Sequence, residues 1–92
     1  MTIPERLKIG GHEVRVSIES LEKEDCAGDF DQTKNLIRIA AEHTTSQQEA
    51  TLIHEIFHVL NSELGGSGYP HALLESLSQQ WYAVLKDNDM LR

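Results

Sequence analysis

The run His54-Glu55-Ile56-Phe57-His58 holds two imidazoles and a carboxylate, and their spacing suits an α-helix. Residues four apart on a helix stack one turn above the other, so His54 and His58 can aim two ring nitrogens at one ion. Glu55, directly after the first histidine, lies about a third of a turn away. There it can take a proton from a metal-bound water without ligating the metal. A catalytic zinc uses three protein ligands and keeps one position for water, so a third ligand must come from outside this run. Glu75 is the first choice: the glycine-rich stretch Gly65-Gly66-Ser67-Gly68 lets the chain turn and bring it back, and Glu75-Ser-Leu-Ser78 has a small residue that lets a helix pack closely. His71 comes second, ahead of Asp29, Asp31 or a group from a partner chain.

The elements that must position these residues are legible from periodicity. Ser46 and Glu49 have the spacing of a capping box, so the motif helix is expected to start there. Ala50, Ile53, Ile56, Phe57, Leu60 and Leu64 then form an apolar arc widened by Leu52 and Val59, with His54 and His58 at its edge and Glu55 beyond it. Pro70 opens a second helix running to about Asp87, with Leu74, Leu77, Trp81, Val84 and Leu85 as its core stripe. His71, Glu75, Gln79 and Tyr82 make a polar stripe on the other flank, which reads as a wet face. Ahead of the helices, residues 7–19 alternate as a hairpin about Gly10-Gly11. Residues 27–40 suggest a second hairpin turning near Gln32 to Asn35, in which Leu36–Ala40 is the most strand-like run. The expected fold is α+β: a small antiparallel sheet of three or four strands followed by two helices, the first carrying HExxH.

The chain of 92 residues suits one domain. Its net charge of -7, with only 8 Lys and Arg, argues against binding a phosphate backbone, so nucleic acid is not an expected partner. The acidic run from Glu19 to Asp31 reads as a solvated loop. No stretch approaches the ~18 apolar residues of a membrane span. The N-terminal residues lack the apolar core of a signal peptide and the single Cys26 cannot form an internal disulfide, so a cytoplasmic address is expected. His12 and His43 are expected to face solvent.

His54-Glu55-Ile-Phe-His58, the glycine break at 65–68 and Leu74-Glu75-Ser-Leu-Ser-Gln-Gln-Trp-Tyr82 together resemble the small HExxH metallopeptidases of phages and prophages. These are distant relatives of ImmA/IrrE-type gluzincins, and the resemblance covers roughly residues 27–88. It implies a zincin core in which His54, His58 and Glu75 hold zinc and Leu36–Ala40 is the edge strand facing the site. The chain lacks the Glu-Ala-Asn-like ligand segment of the ImmA/IrrE proteins.

The implied activity is zinc-dependent peptide hydrolysis of a polypeptide substrate, with Glu55 as general base. Tyr82, Tyr69 and His71 are the side chains able to stabilise the oxyanion, and Tyr82 has the right facing. The alternative is a metal-stabilised interaction module without turnover.

Overall fold

The structure is a computed structural model; it describes residues 3–9, 12–63 and 70–87, with the side chains of 63 and 84–87 left aside. Four strands precede two helices: β1 (Arg6–Ile9), β2 (His12–Glu19), β3 (Gly28–Asp31), β4 (Leu36–Ala40), α1 (Thr45–Glu63) and α2 (His71–Asp87). The glycine turns at 10–11 and 65–68, together with Leu64 and Tyr69, lie outside the described residues.

Both expected hairpins form. Ile9 pairs with His12 in β1–β2, and Asp31 pairs with Leu36 in β3–β4 across a turn at 32–35. In that turn Asp31 Oδ1 accepts from the Lys34 amide at 3.2 Å and Asn35 takes a φ of 49°. The sheet, however, is mixed rather than antiparallel. Its order is β1-β2-β4-β3, and β2 runs parallel to β4, with Val16 beside Ile37 and Ile18 beside Ile39. The edge strand beside the helices is therefore β3, and Leu36–Ala40 is an inner strand. Alternation reveals strands one at a time but not their neighbours, so the crossover is invisible in it. The crossing segment is anchored by Leu21, which is buried and donates its amide to the Glu42 carboxylate at 2.9 Å.

The acidic segment is more than a solvated loop. Arg38 on β4 gathers Glu19 at 3.5 Å, Glu24 at 3.4 Å and Asp29, to which its Nε donates at 2.8 Å. This places Asp29 on the edge strand but ties its carboxylate to the guanidinium, which holds it below the usual carboxylate range.

Ile37 and Ile39 are wholly buried between β2 and α1 and form one core with Val14, Val16, Leu52 and Val59. Helix α1 starts earlier than the Ser46–Glu49 pair suggests. The capping box is Thr44 and Gln47: the Gln47 amide donates to Thr44 Oγ1 at 3.2 Å and the Thr44 amide donates to Gln47 Oε1 at 2.8 Å. Ser46 and Glu49 are thereby freed for α2. Glu49 is buried, and the Tyr82 hydroxyl lies 3.2 Å from the Ser46 carbonyl and 3.3 Å from Glu49 Oε1.

Helix α2 is turned about its axis relative to the expected stripe. Leu74 is buried as expected, yet Leu77 is 40% and Trp81 52% exposed, and the buried neighbour of Leu74 is Ser78 at 2%. The expected polar stripe is no wet face: its members His71 and Tyr82, joined by Ser78, meet α1, while Gln79 is exposed. The side chains of Val84 and Leu85 lie outside the described residues.

Candidate metal centre

Helix α1 presents His54 and His58 to α2 with their Nε2 atoms 3.0 Å apart. The ligand atoms of two donors on a tetrahedral zinc, each bonded at about 2.0–2.1 Å, stand about 3.3 Å apart. The pair, in hydrogen-bond contact, is therefore within a few tenths of an ångström of the spacing an ion requires. A third imidazole comes from α2: ring nitrogens of His54, His58 and His71 all lie within 4.8 Å of one another. The His58 and His71 rings stack with centroids 5.0 Å apart. Glu75, one turn along α2, sets Oε1 3.3 Å from His71 Nε2. The cluster within one ion's reach is thus His54, His58 and His71, with Glu75 beside His71 but outside it, and zinc fits three imidazoles, which are ligands it commonly takes.

Hydrogen bonding selects the tautomer of His54. Ser78 Oγ donates to the Glu75 carbonyl at 3.0 Å, and with its one proton so engaged it accepts from His54 Nδ1, 3.1 Å away. The lone pair of His54 is then on Nε2, the atom facing His58. Sequence reasoning noted Ser78 only as a small residue for close packing; its burial meets that expectation, and the hydroxyl adds this second role.

Electrostatics favour neutral imidazoles. Burial holds His54 below its ordinary pKa, with His71 adding to the effect and Glu75 opposing it. His58 is lowered first by burial and then by His54 and His71. Neutral rings are the form that binds a metal.

Glu55 does not lie beyond the buried arc but within it, at 6% exposure, facing the edge strand. Burial, assisted by the charge of Asp29, pushes its pKa up to about 7. It borders two open cavities that meet at Gly28, His54 and Glu55. One, of about 360 Å³, runs toward Thr51, Ser78 and Tyr82; the other, of about 460 Å³, runs toward Phe30, His58 and His71. Together they form a cleft along β3. Gly28 makes the close approach possible, because a Cβ there would stand 2.5 Å from the Arg38 carbonyl oxygen and 2.6 Å from Thr51 Cγ2.

Of the other candidates, Asp29 is held by Arg38 and Asp31 by its turn. His12 is exposed as expected, while His43 is half-buried rather than solvent-facing. Tyr82 lines the cleft with its hydroxyl turned to Ser46 and Glu49. No helix among the described residues is long and apolar enough to cross a membrane.

A mixed sheet backing an HExxH helix, with a second helix facing its two histidines, defines a metallopeptidase-like α+β domain. The sequence pattern of the Peptidase_M78 family, the IrrE N-terminal-like domain, matches residues 10–82, and the chain belongs to this family. No curated protein and no solved structure matches the chain.

Proposed function

We propose that the chain is a zinc-dependent peptidase that hydrolyses a polypeptide laid along β3, with Glu55 as general base. The observation that carries this reading is the pairing of His54 Nε2 and His58 Nε2 at 3.0 Å with an adjacent, buried Glu55 whose pKa is about 7. A base poised near neutral pH both accepts and returns a proton readily. When bound, zinc would acidify a water molecule and polarise the scissile carbonyl. Glu55 would take the proton of that water and deliver it to the leaving amine. As the edge strand of the described sheet, β3 is the strand an extended substrate would add to. The cavity toward Thr51 and Tyr82 would receive one side chain, and Tyr82 is the nearby hydroxyl that could reach an oxyanion by leaving Ser46. His54 and His58 are assigned as ligands, with Glu75 completing the set as the gluzincin resemblance implies. The phage or prophage setting rests on the sequence resemblance, and the cytoplasmic address on the lone Cys26.

Incubating zinc-loaded protein with a peptide library, with Glu55→Gln in parallel, tests the proposal by mass spectrometry. Cleavage by the wild type that falls at least about 1,000-fold in the variant is expected. Equal cleavage by both proteins, or none by either with zinc bound, defeats it.

One observation favours a second reading, a metal-stabilised interaction module: the three clustered histidines come from two different helices, so an ion would clamp α1 to α2. In that case chelation lowers the melting temperature and no peptide is cut.

A further inference from the structure

The cleft continues beyond the metal centre. Its cavity toward His58 shares Phe30 and Ser62 with a further cavity of about 270 Å³ at the far end of β3. The buried side chains of Val14 and Val59 and the half-buried Phe30 form the floor of this third cavity, with Gln32, Asn35 and Ser62 at its rim. Ser62 Oγ donates back to the Val59 carbonyl at 2.8 Å, so the wall between the two cavities has its one hydroxyl proton engaged. Among the described residues no carboxylate, Lys or Arg lines the third cavity. A charged side chain entering it would shed water without gaining a partner of fixed charge.

Strand β3 sets the spacing along the cleft. Phe30 packs on the core and the Cβ position of Gly28 faces Thr51 of α1, so both point to the inner face of the sheet, two residues apart. A strand added to β3 puts alternate side chains on that same face, about 6.8 Å apart. The substrate residue beside Gly28 then stands at His54 and Glu55, where the first two cavities meet. The residue two along stands beside Phe30, at the mouth of the third cavity. The side chain between them points to the opposite face, where Asp29 and Arg38 are paired.

We propose that the third cavity is a second substrate subsite, which takes the aliphatic side chain of a Val, Leu or Ile two residues along from the one at the metal. This rests on the peptidase reading above and adds a specificity to it. The apolar floor favours a side chain without charge. The cavity is the smallest of the three, at about 270 Å³ against 360 and 460 Å³, which suits a compact aliphatic group better than an aromatic one.

The test uses the Glu55→Gln protein with added zinc, which can hold a peptide without cutting it. Short Ser/Gly peptides carrying Leu, Ser or Glu at the centre are titrated against it. Anisotropy of a terminal fluorophore reads affinity, and nitrogen-15 NMR reads location. The Leu peptide is expected to bind on the order of tenfold more tightly than the Ser peptide, and the Glu peptide more weakly than either. The Leu peptide should move the amide signals of Gln32, Asn35 and Ser62 together with that of Gly28. Ser62→Trp, which fills the shared wall, is expected to remove the preference for Leu. Gln32→Trp, which roofs the cavity from the exposed turn, is the second variant should the first disturb α1, with far-UV circular dichroism as the check. Equal binding of the Leu and Ser peptides, no measurable binding of any, or a preference that survives both substitutions overturns the subsite. In the zinc-loaded wild type, library cleavage should show aliphatic residues enriched two along from a residue that flanks the cut. A Leu preference at the third cavity without any cleavage upholds the subsite and removes only the peptidase reading, whereas cleavage without that preference removes only the subsite.

Discussion

Ser78 Oγ accepts a hydrogen bond from His54 Nδ1 at 3.1 Å, and this contact ties the orientation of a metal-binding ring to the helix opposite. Ser78→Ala leaves that N–H without its partner and frees the tautomer. Zinc affinity, measured by competition with a chromophoric chelator, is expected to fall about tenfold. Ser78→Thr, which keeps the hydroxyl, should recover part of the loss, a recovery that packing alone would not give.

The raised pKa of Glu55 makes metal-free stability depend on pH with a definite sign. Its folded pKa of about 7 exceeds the ordinary 4.5, so between these values the folded chain binds more protons than the unfolded one. The group's penalty is absent below pH 4.5, grows through this window and is complete above pH 7. Glu55→Gln is therefore expected to stabilise the chelator-treated protein by roughly 3 kcal/mol at pH 8 and by little at pH 4.5. Denaturant melts at the two pH values measure this; a gain of equal size at both would contradict the buried charge.

At Gly28, β3 comes close to both β4 and α1. A methyl group there must displace the Arg38 carbonyl or Thr51, at a cost of about 1–3 kcal/mol. Gly28→Ala should lower the melting temperature while leaving zinc affinity nearly unchanged, because the donors lie on the helices. Loss of metal binding in a folded Gly28→Ala protein would count against that separation.

The two leucines of α2 separate the expected stripe from the observed one. Leu74→Ala is expected to cost about 2–4 kcal/mol, since the residue is 2% exposed, and Leu77→Ala under about 1 kcal/mol at 40% exposure. Urea titration of the two variants decides between the faces.

The sequence made the two hairpins, both helices and the HExxH pair legible because each is a local pattern. Alternation marks a strand, a four-residue repeat marks a helix turn, Asp31 marks a turn through its side chain and Asn35 through its tolerance of a positive φ. What it hid is non-local. Nothing near Leu36 says that its neighbour is Arg15, so the parallel pairing and the edge position of β3 were out of reach. The rotation of α2 was misleading for a related reason. Its most apolar stripe, Leu77 and Trp81, gives way to a polar face because that face meets the histidines of α1. Glu55 was placed beyond the arc on the same logic, and its burial comes from β3, a strand distant in sequence. The chemistry was readable at α1 and only half readable at α2, where His71 and Glu75 share one face and spacing alone cannot rank them.

The order β1-β2-β4-β3 also divides the sheet into two hairpins lying side by side. Each hairpin closes locally, and the parallel seam from Arg15–Leu36 to Glu19–Ala40 joins them. Every residue of the metal centre lies on one side of that seam, with β3, β4 and the helices, while β1 and β2 contribute apolar cover and, through Glu19, an ion pair to Arg38. Backbone amides along the seam are therefore expected to exchange with deuterium together, as one opening event, and metal binding should slow exchange in α1 and α2 more than in β1.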